Sequence, residues 1–141
     1  MRFSREAERV QTIFNHIVML DKLWYLWYYI NMKNKSYWVG WLQAFSDAEG
    51  HIGTIGGWRG EIVISNTIKE LLLYYQEGLN YFGIYSKILG PYQHTNIPNA
   101  KPIYRLRIQR RDDLILWSKL IGFQHPAKKE KLKKLIGHWV K

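Results

Sequence analysis

Two acidic residues, Asp47 and Glu49, lie at the end of a predicted helix, where an acid is unusual. The helix is predicted to begin near Ser36, which can cap its first turn, and to end at Gly50. The last turn carries the negative end of the helix dipole, so an acid there costs about 0.3–1 kcal/mol. One explanation is a solvated charge. The other, which we favour, is a carboxylate placed to bind a divalent cation.

The same helix carries a stripe of small residues, Gly40, Ala44 and Ala48, at successive steps of four. Such a stripe lets a second helix approach until the two backbones almost touch. The second helix could belong to the same subunit, or to a second copy related by two-fold symmetry. We predict an interface between two copies, flanked by Trp41 and Phe45.

Nine residues, LQAFSDAEG from Leu42 to Gly50, resemble the signature of the LAGLIDADG homing endonuclease family. Four positions match outright: Leu42, Asp47, Ala48 and Gly50. Ala44 replaces a glycine with another small residue, and Glu49 replaces the metal-binding aspartate of the family with the other carboxylate. Gln43 and Ser46 depart from the signature. Neither stands where the chemistry is expected.

The resemblance implies an α+β fold of order αββαββα, with a curved antiparallel four-stranded sheet that binds DNA. The sequence patterns agree with this order. They predict helices over 36–50, 67–83 and 112–122, and strands over 51–56, 61–66, 84–89 and 103–109. Residues 1–35 are predicted to form a helical arm, and 36–141 the endonuclease domain. A basic helix over 127–136, with Pro126 in its first turn, and a capping box of Thr67 with Glu70 complete the prediction.

The composition is compatible with a nucleic-acid partner. Lys and Arg outnumber Asp and Glu by 21 to 11, giving a net charge of +10 and a pI near 9.8. This excess favours a polyanion, either a nucleic acid or an acidic membrane surface. The chain has no cysteine, which rules out disulfides and cysteine zinc sites within it. The absence of cysteine also favours an intracellular, cytoplasmic setting, with an organelle also compatible. No apolar run approaches the ~20 residues of a membrane span, so no membrane anchor is expected.

Alternation along the predicted strands indicates which residues face DNA. Counted from Glu49, odd positions of the first hairpin face outward, whereas Ile52 and Thr54 face inward. In the last strand, Arg105, Arg107 and Gln109 form a row of donors about 7 Å apart, suited to reading base edges, although a solvated basic face is the alternative. The predicted DNA-binding set is His51, Ile55, Arg59, Glu61, Ser65, Lys87, His94, Thr95, Asn96, Lys101, Arg105, Arg107, Gln109, Lys129 and Lys131.

The resemblance also implies a mechanism. Glu49 and the Ala48 carbonyl would bind Mg²⁺, which Mn²⁺ or Ca²⁺ can replace, and no small-molecule cofactor or membrane is expected. Glu49, Lys128 and Asn66 would be catalytic, and Lys129 and Lys131 are the alternative candidates for the role assigned to Lys128. One-motif members of the family act as homodimers that cut both strands of long, nearly palindromic DNA and leave short 3′ overhangs. An RNA maturase and a non-catalytic DNA-binding protein on the same fold are the alternatives.

Two polar residues near Glu49 are assigned separately. His51 could act as a general base or contact a phosphate, and these interpretations stay open. Asp47 is predicted to have a structural role at the end of the helix rather than to bind metal.

Overall fold

The computed structural model describes residues 34–54 and 59–139, together with residues 5, 7–13, 15, 16, 20, 22–24 and 26. The chain divides into two compact units, Met1–Tyr37 and Trp38–Lys141. The described residues between 5 and 26 are helical. Ile55 and the predicted turn glycines Gly56 and Gly57 lie outside the described residues.

From Lys35 onward the chain has the predicted α+β order and ends with the predicted basic helix. In chain order the elements are α1 (Lys35–Glu49), β1 (Gly50–Thr54), β2 (Gly60–Asn66), α2 (Lys69–Tyr81), β3 (Lys87–Tyr92), β4 (Ile103–Ile108), α3 (Arg111–Leu120) and α4 (Pro126–Gly137). The four strands form one antiparallel sheet in the order β1-β2-β4-β3. Helix α2 packs against the central strands β2 and β4, and α4 packs beside β1.

The ladder registers divide the sheet into a covered face and an open face. His51 lies opposite Val63, and Val63 lies opposite Arg107, so these three side chains share the open face. The alternate positions lie on the covered face and form much of the core: Ile52, Ile62, Ile64, Leu106 and Ile108. The predicted parity is therefore confirmed. Thr54 is an exception, because it shares the parity of Ile52 but is exposed at the end of β1.

A chain of buried hydrogen bonds connects the three helices behind the sheet. The Trp117 indole N–H donates to the Tyr75 hydroxyl oxygen over 3.1 Å. The Tyr75 hydroxyl lies 2.7 Å from the Ser46 hydroxyl, which donates to the Leu42 carbonyl. Because Ser46 uses its only proton on that carbonyl, Tyr75 donates to Ser46 and every group is satisfied. Burial raises the pKa of Tyr75 to about 12. Ser46, a departure from the family signature, therefore joins α1 to the core.

We predict that Tyr75→Phe destabilises the protein. Removing the hydroxyl leaves the buried Trp117 N–H without an acceptor and the Ser46 oxygen without a donor, at a cost of about 1–3 kcal/mol. Urea unfolding measures the loss as a lower midpoint with an unchanged slope. Tyr81→Phe is the control, since Tyr81 is 53% exposed and its change is expected to have little effect. Equal unfolding of the two variants would contradict the role given to the buried hydroxyl.

Glycine is required at the junction of α1 and β1 by close packing. A Cβ at Gly50 would lie 2.6 Å from the Ser46 carbonyl oxygen and 2.8 Å from the Ile64 side chain. Strand β1 can therefore follow α1 without a loop only if residue 50 has no side chain. The following strand begins one residue after Glu49, which fixes the acid at the edge of the sheet.

Several predicted element boundaries are wrong. Helix α1 is capped by Asn34, whose side-chain oxygen accepts the Tyr37 N–H over 3.1 Å, and not by Ser36. The N-cap residue of α2 is Ile68, which provides no side-chain cap, so the predicted capping box is absent. Strand β3 begins at Lys87 instead of Ile84, because the Ile84 N–H bonds back to the Leu79 carbonyl and closes the helix end.

Candidate active site and nucleic-acid interface

Glu49 is the last residue of α1 and its side chain is exposed. Its carboxylate makes no hydrogen bond or ion pair with any residue that the structure describes. His51, two residues later, is the first side chain of β1 on the open face. Glu49 thus has no partner among the described residues and lies where α1 ends and the open face of the sheet begins.

Helix α4 places two lysine ammonium groups beside the junction of α1 and β1. Lys128 Nζ donates to the Asp47 carbonyl over 2.7 Å, and Lys131 Nζ donates to the Ile52 carbonyl over 2.9 Å. A spacing of three residues puts both side chains on one side of the helix. Their backbone partners lie two residues before and three residues after Glu49. Lys129 lies elsewhere, lining a groove between α3 and α4.

Asp47 holds the loop before α4. One of its carboxylate oxygens accepts the backbone N–H groups of Gln124, at 2.9 Å, and His125, at 3.1 Å. His125 in turn stands at the N-cap of α4. These bonds agree with the structural role predicted for Asp47, and they set the position from which Lys128 reaches the junction.

The small-residue stripe of α1 is uncovered in the described part of the chain. Gly40, Ala44 and Ala48 are exposed, and a Cβ added at Gly40 would meet nothing within 4 Å. The described residues of the second unit therefore form no tight contact on this stripe, which was the first of the two explanations. Trp41 and Phe45 stack with a centroid distance of 5.0 Å beside the stripe.

The donors on the open face are only partly free. Arg107 forms an ion pair with Glu61, and the Gln109 amide nitrogen donates to the second Glu61 oxygen over 2.9 Å. Glu61 is only 5% exposed, so it does not stand free to contact DNA as predicted. Arg105 lies over the Tyr92 ring at 5.1 Å. Val63, also on this face, is covered by its neighbours and is 3% exposed.

A polar pocket of about 260 Å³ lies beside this row, lined by Tyr85, Lys87, Arg107, Gln109 and Arg110. The Arg110 guanidinium lies over the Tyr85 ring at 4.1 Å. Lys87 and Arg107 are directly opposite each other in the ladder, where like charges repel and an anion would be stabilising. Tyr85 and Arg110 are not among the residues predicted to bind DNA, although Arg110 directly follows the basic row.

The remaining predicted DNA-binding residues are placed as follows. Arg59 and the loop residues His94, Thr95, Asn96 and Lys101 are exposed, and Ser65 is half-buried opposite Arg105. Ile55 lies outside the described residues. The prediction that Asn66 is catalytic is not supported, because its ladder position is on the covered face. Its side-chain oxygen accepts the Ile68 N–H over 2.8 Å at the start of α2.

The oxygen donors at the junction of α1 and β1 fit a magnesium ion whose other ligands are substrate phosphates and waters. Among the residues that the structure describes, no three His, Asp or Glu side chains are grouped to hold a metal. One copy offers the Glu49 carboxylate and the adjacent Ala48 carbonyl. Mg²⁺ in proteins commonly takes one or two carboxylates, substrate phosphates and several waters. This donor set is therefore suitable once a phosphate lies beside it.

The surroundings of His51 keep its imidazole neutral. Partial burial, then the positive charges of Arg105 and Lys131, lower the pKa of His51 below 6.5, although Glu61 opposes them. A neutral ring at pH 7 can exchange hydrogen bonds but adds no charge for a phosphate.

This shift predicts a pH-dependent stability. The unfolded chain binds a proton near pH 6.5 more readily than the folded chain, so the contribution of His51 is present above that pH. It is lost as the pH falls through the folded pKa. Urea unfolding of the protein and of His51→Gln should therefore show that the protein loses stability relative to the variant as the pH is lowered. A protein that gains stability relative to His51→Gln toward low pH would contradict the direction of the shift.

No helix in the described part of the chain is long and apolar enough to cross a membrane. The profile described as LAGLIDADG-like domain matches residues 36–122. The chain is 31% identical over 100 residues to homing endonuclease I-ApeI of Aeropyrum pernix, covering 70% of this chain but only 41% of that protein.

A solved structure has a similar fold. It is described as an archaeal intron-encoded homing endonuclease, I-Vdi141I, complexed with DNA. The match has a TM-score of 0.51 at 15% identity and covers 76% of this chain and 71% of that one. At this identity the match establishes the fold alone. The family profile covers more than half of the chain, and the motif helix, the four-stranded sheet and the sequence relative agree with it. The chain belongs to the LAGLIDADG homing endonuclease family.

Proposed function

We propose that this chain is the subunit of a homodimeric homing endonuclease that uses a divalent metal to hydrolyse one phosphodiester bond in each strand of a DNA duplex. The substrate would be a long, nearly palindromic site, cut to leave short 3′ overhangs. The observation that carries the proposal is Glu49, an exposed carboxylate at the end of the motif helix that pairs with no residue in the described part of the chain. An acid in that position is unfavourable for the helix and suits a cation.

The open face supports DNA as the partner. Arg105 and Arg107 lie on this face, and Lys87 adds a further charge at the outer strand. Gln109 follows the end of β4 and donates to Glu61 on the same face. The net charge of +10 favours the binding of a polyanion and predicts that affinity falls steeply with salt. Contacts from these side chains to base edges would select the DNA sequence, whereas lysines would contact the phosphates and position the DNA backbone.

The exposed stripe of α1 supports the dimer. Two copies packed along Gly40, Ala44 and Ala48 would bring the two Glu49 side chains together at a two-fold axis. Like charges at close range raise the cost of keeping both carboxylates ionised. A divalent cation held by these carboxylates would remove that cost. Two-fold symmetry then requires similar half-sites in the DNA.

The residues around the acid have separate roles in the proposed reaction. Glu49 and the Ala48 carbonyl would hold Mg²⁺, which supplies an activated water and neutralises charge on the leaving oxygen. Lys128 would stabilise the negative charge that develops on the phosphate. Lys131, anchored on β1, would bind a neighbouring phosphate. Asp47 would keep α4 in place.

The cleavage test uses a plasmid that carries the uninterrupted insertion locus of the gene. With Mg²⁺, the protein is expected to convert supercoiled plasmid into linear DNA, and EDTA is expected to stop the reaction. A plasmid carrying the interrupted locus is the control and should stay uncut. Tight binding of the uninterrupted locus without any cutting would overturn the endonuclease proposal and favour a DNA-binding protein. Faster splicing of the intron RNA on addition of the protein, with no cutting, would favour a maturase.

A further inference from the structure

An acid on a surface that binds DNA needs an explanation, since it repels phosphate. Glu61 lies on the open face, yet it is only 5% exposed. Both of its oxygens are occupied, one by Arg107 Nη1 and the other by Gln109 Nε2. A side chain so covered has no free oxygen to offer a base. Its effect on DNA must therefore pass through the two residues that it holds.

Gly53 makes this arrangement possible from the neighbouring strand. It lies opposite Glu61 in the β1–β2 ladder. A Cβ at Gly53 would lie 3.2 Å from Glu61 Cγ and 3.3 Å from its Oε1. The absence of a side chain gives Glu61 room to lie flat along the face, toward β4.

The hydrogen bond to Glu61 fixes the orientation of the Gln109 amide. A carboxylate only accepts hydrogen bonds, so the amide nitrogen, and not the oxygen, must face it. The second amide N–H and the carbonyl oxygen then remain for DNA. This is the donor and acceptor pair that glutamine uses to read adenine in the major groove.

Arg107 is restricted by the same acid. One Nη1–H is used by Glu61, and Nε is buried with no partner among the described residues. The free donors are therefore at the outer end of the guanidinium, on Nη2 and the second hydrogen of Nη1. Two adjacent donors at that end match the O6 and N7 acceptors of guanine.

We propose that Glu61 is a positioning residue that sets Arg107 and Gln109 as a paired base-reading unit, with preference for guanine and adenine respectively. Alternate residues of a strand are about 7 Å apart, which is about twice the 3.4 Å rise of the DNA duplex. The two bases read would then be two steps apart. The inference rests on the proposed DNA-binding function and names the residue that gives it selectivity.

The test is selection from a library of randomised DNA duplexes. Selections with Arg107→Ala and with Gln109→Ala first assign one base pair to each residue. The intact protein is then compared with Glu61→Gln, which keeps the shape of the side chain, and with Glu61→Ala. Glu77→Gln, at an exposed position of α2, is the control for the loss of one negative charge. A thermal melt of each variant shows whether it is folded.

Glu61→Gln is expected to lose about tenfold in preference at the Gln109 base pair, because its new amide N–H forces Gln109 to turn its oxygen inward. The Arg107 base pair keeps its preference, since the amide oxygen of the substituted side chain can still accept. Glu61→Ala is expected to lose preference at both base pairs and to bind unselected duplex no more weakly than the intact protein. Glu77→Gln should select the same sequences as the intact protein.

Two results would overturn the inference while leaving DNA binding intact. One is an unchanged selection by both Glu61 variants. The other is a loss of preference at a base pair that neither Arg107→Ala nor Gln109→Ala affects, which would mean that Glu61 contacts a base itself. If the intact protein binds no duplex, the proposed function fails and the inference fails with it. If Glu61→Ala is unfolded, Glu61→Gln alone decides between these outcomes.

Discussion

Replacing Glu49 with Gln is expected to abolish DNA cleavage while leaving DNA binding intact. The amide has nearly the shape of the carboxylate but cannot supply the anionic oxygen that Mg²⁺ needs. The loss of metal-assisted charge stabilisation is expected to cost about 4 kcal/mol, on the order of a thousandfold in rate. Affinity for the same DNA should stay equal or rise slightly, because one negative charge near phosphate is removed. Plasmid linearisation and a gel-shift titration measure the two effects.

Glu130→Gln is the matched control for this prediction, since Glu130 is exposed on α4 and has no role in the proposed reaction. It should cut at the rate of the unchanged protein. Cleavage retained by Glu49→Gln would mean that the carboxylate at the end of α1 does not hold the metal. Loss of binding together with cleavage, in a folded protein, would instead give Glu49 a role in binding DNA.

Replacing Ala44 with Leu is expected to separate the dimer. Ala44 is exposed in the middle of the small-residue stripe, between Gly40 and Ala48. An added isobutyl group would keep two closely packed helices apart, at about 1–3 kcal/mol for each copy. Because the change occurs twice in a dimer, the dissociation constant should rise by at least about thirtyfold. Sedimentation velocity at several protein concentrations measures the shift from dimer to monomer, and cleavage should fall with it.

Ala127→Leu makes the same change at an exposed position of α4 and should leave the dimer unaltered. A dimer of unchanged stability in Ala44→Leu would place the interface on another surface. Melting temperatures of both variants separate dissociation from unfolding, since an exposed stripe predicts little effect of Ala44→Leu on the fold of one subunit.

Much of the fold could be predicted because its elements have strong periodic signals. The alternation in Tyr104, Arg105, Leu106 and Arg107 predicted β4 and the face that each residue occupies. The boundaries were harder, since they depend on single side-chain contacts. Asn34 caps α1, but a sequence that also offers Ser36 at the same turn gives no basis for choosing between them.

The candidate site could be predicted only in part, because alternation gives the face of each residue but not the contacts between strands. Parity placed Glu61, Arg107 and Gln109 on one face, but the contacts among them depend on the register of β2 against β4, which no local pattern records. Asn66 was assigned to catalysis from the resemblance alone. The parity that put Ser65 outward already placed Asn66 on the covered side, and the structure follows parity.

The central claim is that two copies of Glu49 meet at a two-fold axis, and a cross-link tests it directly. The chain contains no cysteine, so Glu49→Cys introduces a single thiol into each copy. With a short bifunctional maleimide, this variant is predicted to give a covalent dimer rapidly and nearly completely. Glu77→Cys, at an exposed position of α2, should give no covalent dimer under the same treatment. A Glu49→Cys variant that sediments as a dimer but does not cross-link through its introduced thiol would contradict the claim.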